Sequence, residues 1–166
     1  MPHCCNHLSC GPRGPPGPLA PAVGFSASLS ASVTLPADTL TTIVFDDVAT
    51  VPNYLTSGIA YDTTSGIATV QPGIYLVSAQ AAILNNDITI PNILTLYFQL
   101  LLNDVVVRQN DPYPESIHMI PVITSTIRVA TTSTLRIAVF PSGNTFTLQS
   151  HGNLATFFSV QKLANI

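Results

Sequence analysis

The stretch that most constrains the fold is Tyr61 to Ser78, YDTTSGIATVQPGIYLVS. Residues 67–71 alternate, so that Ala68 and Val70 project from one face of a strand and their neighbours project from the other. A Pro-Gly pair at 72–73 then interrupts pairing, because proline has no amide donor and glycine permits a positive φ. Residues 74–77, IYLV, continue as a second strand rich in β-forming side chains. The stretch therefore predicts two strands joined by a turn, which is typical of an all-β protein.

The same pattern of short β-rich runs and turn residues extends along most of the chain, and no run has helical periodicity. Turns are indicated by clusters of proline, glycine, asparagine and aspartate, such as those at 85–87, 103–104, 111–115 and 141–144. The segments Val23 to Ser32 and Thr41 to Val48 are predicted as the first two strands, and Ala155 to Lys162 as the last. About ten short strands with regular turn spacing predict a jelly-roll β-sandwich.

Residues 11–19 read GPRGPPGPL, which is three Gly-X-Y triplets. Glycine at every third position is what a collagen triple helix requires, because only glycine fits at its axis. Three triplets span only about 27 Å, which is too short to hold three chains together. A plain Pro-Gly linker is the alternative interpretation. We therefore divide the chain into a leader with a short collagen-like stub, residues 1–22, and a head, residues 23–166.

The leader contains Cys4, Cys5 and Cys10, with His3 and His7 among them. Their spacing fits no zinc-finger pattern, so a metal site is disfavoured. Three is an odd number of cysteines, which suits disulfides between chains. Free thiols in an extended leader are equally consistent with the sequence, since oxidation depends on the compartment.

Charge is scarce, and this limits the classes of partner. Asp, Glu, Lys and Arg make up 8% of the residues, with a net charge of −3, against about 25% in typical globular domains. No basic surface is indicated of the kind that nucleic acids or anionic membranes require. The longest apolar run, residues 93–102, is too short to span a bilayer. The first residues do not resemble a secretory signal.

Two adjacent aromatic pairs point to association between subunits. Tyr97 and Phe98 lie in one predicted strand, and Phe157 and Phe158 in another. Successive strand residues face opposite sides, so one member of each pair fills the core and the other faces outward. Residues 93–98 are also apolar on both faces, which predicts burial on both sides and hence a neighbouring subunit. Loops that cover the outer faces are the alternative.

Sequence motifs for catalysis are missing. There is no nucleophile elbow, phosphate-binding loop, dinucleotide fingerprint or zinc-protease motif. His118 and His151 are isolated histidines, and no cysteine lies in the head to act as a nucleophile. The carboxylates fall mostly at turns and match no ligand pattern for calcium, which needs six to eight oxygens. We expect a non-enzymatic protein without a cofactor, and leave calcium open.

Several of these segments together resemble the globular head of C1q-like proteins, a family related in fold to tumour necrosis factor. The similarity rests on Tyr61-Asp62, Ser65-Gly66, Thr69, Pro72-Gly73-Ile74-Tyr75 and Ser78, with FSA at 25–27, IVFD at 43–46 and ATFFS at 155–159. It extends over roughly residues 23–163. Two departures are visible: Ala68 stands where the family usually has an aromatic, and Thr132-Ser133 replaces a usual Gly-Asp.

The resemblance implies a homotrimeric jelly-roll head on a collagen-like stalk. It also implies that Phe157, which matches the aromatic of the family's closing strand, is the inward member of its pair. A cysteine-containing leader, a Gly-Pro-Pro stub and a Thr-rich head resemble the collagen-like proteins of the bacterial spore outer layer, the exosporium. The expected role is thus structural display at a spore or other outer surface.

The expected partners are other copies of the same chain, and beyond them surface-layer proteins or glycans. The alternative is a ligand-binding head for a carbohydrate or a receptor, as in a viral fibre head. An enzyme is disfavoured because the catalytic constellations are missing.

Overall fold

The computed structural model describes residues 23–48, 58–85, 95–112, 118–150 and 156–166. These residues form fifteen strands and no helix. In chain order the strands are β1 Val23–Ser28, β2 Val33–Leu35, β3 Thr41–Thr42, β4 Asp47–Val48, β5 Ile59–Asp62, β6 Ile67–Val70, β7 Gly73–Gln80, β8 Ile83–Asn85, β9 Leu96–Leu102, β10 Val105–Asn110, β11 His118–Met119, β12 Val122–Val129, β13 Ser133–Pro141, β14 Phe146–Leu148 and β15 Phe157–Ala164.

Two antiparallel sheets form the layers of a sandwich. Sheet I has the strand order β12-β7-β15-β1-β4. Sheet II has the order β10-β9-β13-β6-β5, and β3 pairs separately with β13. Sequence neighbours are often distant in these orders: β15, the last strand, lies between β1 and β7. The chain therefore closes on itself, with its two described ends side by side in sheet I.

A third, four-stranded sheet of order β11-β8-β14-β2 completes the structure at one end. One hydrophobic core joins all three sheets. Tyr75 and Val77 enter it from sheet I, Phe98 and Ile137 from sheet II, and Phe146 from the third sheet. Along β7 and β12 the buried side chains alternate strictly with outward ones, as the period of two for a half-buried strand requires.

The two predicted central strands, β6 and β7, are confirmed, with Ala68 and Val70 on the buried face. They do not pair with each other, because the turn between them takes the chain from sheet II to sheet I. The predicted strand Thr41–Val48 is instead two separate two-residue strands, β3 and β4, which belong to different sheets. Between them, Ile43 and Phe45 turn into the core. A chain that crosses from one layer to the other cannot keep one ladder, so this apolar segment does not form a single strand.

The closing strand requires a correction. Phe158 is the fully buried member of its pair, and Phe157 faces outward and is half-buried, so the expectation that Phe157 points inward is wrong. Register decides the side. Phe158 pairs with Ala27 of β1 and with Ala79 of β7, both on the core face of sheet I. In the other pair, Phe98 is buried.

Candidate functional site

The aromatic residues on which the family resemblance rests lie together in the core. The Phe25 and Tyr61 rings stack with centroids 4.7 Å apart, and Phe158 meets Phe25 edge-on at 5.2 Å. Phe45 lies 5.7 Å from Phe158 on another side. Four segments far apart in sequence thus meet in one aromatic cluster. The residues of this cluster stabilise the sandwich and do not form a ligand site.

Tyr61 also fixes the segment between β3 and β4. Its phenolic oxygen accepts a hydrogen bond from the backbone N–H of Phe45 at 2.9 Å. Burial raises the pKa of Tyr61 to about 12, and the nearby charges of Asp46 and Asp62 add to the effect. The neutral phenol is therefore the stable form, which suits a structural role and not that of a general base.

Around Gly73, the turn that precedes β7 is closed by a second tyrosine. The Tyr75 hydroxyl donates to the carbonyl of Gln71 at 2.6 Å, and the Lys162 ammonium lies 5.8 Å from the Tyr75 ring centroid. A Cβ on Gly73 would lie 2.7 Å from Cε of Lys162 and 2.9 Å from the carbonyl oxygen of Ala164. The glycine is therefore required by close approach of the last strand.

The two departures from the family pattern also have structural roles. Ala68 is fully buried, opposite Tyr61 in the ladder of β5 and β6. Ser133 donates to the carbonyl of Thr131 at 2.9 Å and accepts from the Asn103 amide at 3.2 Å.

The outer face of sheet I is free of charge on its central strands. Its three central strands, β1, β15 and β7, have no charged side chain at any outward position between 24–28, 157–161 and 74–80. Ile74, Leu76 and Phe157 are half-buried there. A row of hydroxyls crosses the middle of the face, where consecutive pairing partners are Ser26, Ser159, Ser78 and Thr124.

The outer face of sheet II has a different character. Arg136 makes a salt bridge with Asp104 at 3.1 Å, and Gln99 donates to Gln109 at 2.7 Å. The half-buried rings of Tyr97 and Phe140 stack at 6.1 Å. Charged and amide groups thus already satisfy one another across much of this face.

Burial on sheet II also bears on the prediction that a strand apolar on both faces is covered by a neighbouring subunit. Leu101 lies on the outer side of β9 and is only 2% exposed within a single copy of the chain. A neighbouring subunit is therefore not needed to cover this position. This agrees with the alternative interpretation, in which the chain's own residues cover the outer faces. Residues 93 and 94, which contributed to the prediction, lie outside the described residues. Tyr97 and Phe157 are the outward, half-buried members of their pairs, and a neighbouring subunit at either one stays a prediction.

Most of the exposed charges described in the sandwich lie at its two edges. Asp46, Asp47 and Asp62 are exposed near β4 and β5. Hydrogen bonds from the Ser30 hydroxyl and backbone N–H hold the pKa of Asp46 below its usual value. The opposite edge, β10 and β12, has the exposed side chains of Arg108 and Arg128, with the exposed Asp104 and Asp111 at the two ends of β10.

Metal binding has no support in the part of the chain that the structure describes. Within it, no three His, Cys, Asp or Glu side chains gather to hold a metal ion. His118 is an exposed residue of β11. Cys4, Cys5, Cys10 and His151 lie outside the described residues, so the leader predictions stay predictions. None of the described residues belongs to a helix capable of crossing a membrane.

Comparison with known proteins identifies the fold but not a family. No protein-family model matches the chain, and no curated protein matches it either. Among solved structures, the chain is similar to the Eiger TNF of S. frugiperda, with a TM-score of 0.59 at 15% sequence identity. The match covers 89% of this chain and 96% of that one. The protein therefore has a jelly-roll fold of the tumour-necrosis-factor type, as the sequence predicted.

Sequence reasoning missed the hydroxyl row on the outer face of sheet I. Serines and threonines are frequent throughout the chain, so nothing local marks Ser26, Ser78 and Ser159 as neighbours. Only the pairing of β15 between β1 and β7 brings them together. Alternation within each strand predicts that each serine faces outward, but the sequence does not predict the order of the strands in the sheet.

Proposed function

We propose that this chain is the head of a non-enzymatic homotrimer, linked to a collagen-like stub and displayed on an outer surface layer, such as that of a spore. The observation that supports this most is the uncharged outer face of sheet I. A sandwich exposed to water on both sides normally has polar or charged residues on its outer positions. Here the central outward positions of the three adjacent strands β7, β15 and β1 have no charged side chain, and they include the apolar side chains of Leu76 and Phe157.

The stalk and the surface location are proposed from the sequence. Gly11 to Leu19 keeps an unbroken Gly-X-Y register directly before the head. Because three triplets are too few to hold three chains together, the association falls to the head. Cys4, Cys5 and Cys10 would then add covalent links between chains in an oxidising environment.

The proposal is tested with two matched substitutions on opposite faces of the sandwich. Phe157→Asp places a charge on the outer face of sheet I, and Tyr97→Asp places the same charge on the outer face of sheet II. Both side chains are half-buried aromatics that face outward. We expect Phe157→Asp to convert the trimer to monomers, because an unpaired charge in an apolar interface costs several kcal/mol. Tyr97→Asp should stay trimeric.

Mass is measured by light scattering after size exclusion, and folding of each variant by circular dichroism. A Phe157→Asp variant that stays trimeric with an unchanged dissociation constant would exclude sheet I as the interface. Loss of the trimer in Tyr97→Asp alone would assign the interface to sheet II.

A further inference from the structure

Two aromatic side chains stand together on the outer face of sheet II. Tyr97 of β9 and Phe140 of β13 are pairing partners, and both are half-buried and face outward. Their ring centroids lie 6.1 Å apart, with the ring planes 28° from parallel. Rings in full face-to-face contact would be only about 4 Å apart, so neither ring covers the other completely. Both side chains therefore keep apolar surface that a ligand can contact from outside.

A pair of side-chain amides lies beside these rings. Gln99 follows Tyr97 by two residues on β9, so its Cα atom is about 7 Å away on the same face. Its Nε2 donates to Oε1 of Gln109 across the ladder of β9 and β10, at 2.7 Å. Because an amide has a carbonyl and two N–H groups, this bond leaves the Gln99 carbonyl and further N–H groups of both residues available to a ligand, within the described residues. We call Tyr97, Phe140, Gln99 and Gln109 the ring–amide patch.

The charges around the ring–amide patch are either negative or already paired. Asp111 is exposed and directly follows β10, at the level of Tyr97 and at the edge of the sheet. Arg136 is bound by Asp104 at 3.1 Å. Arg108 pairs with a core residue of β9, which puts it on the other side of the sheet. An anionic ligand would therefore meet a carboxylate and, among the described residues of this face, no unpaired cation.

We propose that the ring–amide patch binds an uncharged carbohydrate chain. One face of a pyranose ring presents C–H groups with a slight positive charge, and these pack well on the negative face of an aromatic ring. Sugar hydroxyls both donate and accept hydrogen bonds, which matches the carbonyl and N–H groups of paired amides. A sugar packed on the two rings reaches the two amides with its hydroxyls, and the Asp111 carboxylate accepts from another hydroxyl.

Other occupants fit the ring–amide patch less well. A nucleic acid, a sulfated glycan or an acidic peptide would be repelled by Asp111. The core of a protein interface is mainly apolar, whereas here two rings stand beside amides and an ion pair. The patch also lies on the opposite side of the sandwich from sheet I. Carbohydrate binding therefore goes beyond the proposed trimer and does not depend on it.

The test is affinity electrophoresis of the full chain in native gels that each contain one soluble polymer. Hydroxyethylcellulose, galactomannan and dextran are the uncharged polymers, and carboxymethylcellulose and glycol chitosan are the anionic and cationic comparisons. We expect at least one uncharged polymer to retard the chain. The retardation should persist when sodium chloride is raised from about 0.02 M to 0.2 M, because salt screens only charged contacts.

Two substitutions assign the binding to the ring–amide patch. Tyr97→Ala removes one ring and should raise the dissociation constant for the retarding polymer by about fivefold or more. Gln109→Ala breaks the amide pair and should raise it by about threefold or more. Gln109 is exposed, so its loss leaves the fold intact. Thr34→Ala, at an exposed position of β2 outside sheet II, is the control and should change the constant less than about twofold.

The outcomes separate carbohydrate binding from the proposed trimer. A chain that no uncharged polymer retards would overturn carbohydrate binding, and so would retardation by charged polymers alone that salt abolishes. Equal retardation of the wild type, Tyr97→Ala and Gln109→Ala would contradict the assignment to this patch. Dissociation of a wild-type trimer by Tyr97→Asp would contradict it too, because a second copy would then cover the rings. A monomer that is still retarded would overturn the trimer alone.

Discussion

Single residues of the family-like signature explain stability more than recognition. Tyr61 illustrates this, because one side chain stacks on Phe25, meets Phe158 and accepts a hydrogen bond from the Phe45 backbone. A residue with this many contacts cannot change without disturbing three segments. We therefore assign the signature to folding and look for function on the outward positions between signature residues.

The raised pKa of Tyr61 predicts a loss of stability in alkali. The unfolded phenol ionises near 10.0, whereas in the folded chain the pKa is about 12. Below pH 10 the contribution of Tyr61 to the free energy of unfolding is fully present. Between pH 10 and about 12 the phenol loses its proton in the unfolded state but keeps it in the folded state, so the free energy of unfolding falls as pH rises. Burial also raises the pKa of Tyr75, which adds to the same trend.

Tyr61→Phe measures how much of the alkaline loss of stability comes from Tyr61. It should lower stability at neutral pH by about 1–3 kcal/mol, because the Phe45 N–H loses its acceptor. It should also flatten, without abolishing, the decline above pH 10. Denaturant unfolding at pH 8, 10 and 11 measures both effects. An equally steep alkaline decline in the variant would contradict the assignment to Tyr61.

At the scale of elements, the turn between β5 and β6 is held in place by Gly66. Its φ is +73°, and a Cβ there would clash with the carbonyl oxygen of Ile43. The Asp62 carboxylate accepts from the Thr64 N–H at 2.9 Å and from the Ser65 hydroxyl at 2.6 Å, which fixes the same turn. Gly66 thus joins the hairpin to the segment that crosses between the sheets.

Gly66→Ala should destabilise the fold by more than about 1 kcal/mol, since it adds a steric clash to a strained φ. Gly58→Ala is the control. Gly58 has a φ of +94°, but the contacts of its Cβ would be ordinary ones of 3.7 Å or more. Thermal unfolding should rank Gly66→Ala clearly below Gly58→Ala. Equal melting temperatures would show that the approach to Ile43 does not matter.

The long strands were predictable from sequence, and the short ones were not. Alternation over eight residues in β7 and β12 overrides any local ambiguity. The two-residue strands β3 and β4 have no periodicity to detect, so the apolar segment Thr41–Val48 resembled one strand. The Phe157–Phe158 pair shows the same limit: sequence predicts that one ring is inside, but only pairing with Ala27 and Ala79 decides which.

For the whole molecule, the sequence predicted the jelly-roll fold but not which outer face is free of charge. That property depends on strand order, because β1, β7 and β15 come from the beginning, middle and end of the chain. The low charge content of the chain indicated association between copies. The structure shows that an uncharged face lies on the outer side of sheet I.

The proposed trimer is tested by the mass of the wild-type chain in solution, measured by light scattering under reducing conditions. Reduction removes any contribution from Cys4, Cys5 and Cys10, so that only the head and the three-triplet stub can associate. We expect a particle of about three times the chain mass of 17.6 kDa. A particle of 17.6 kDa at micromolar concentration would contradict it.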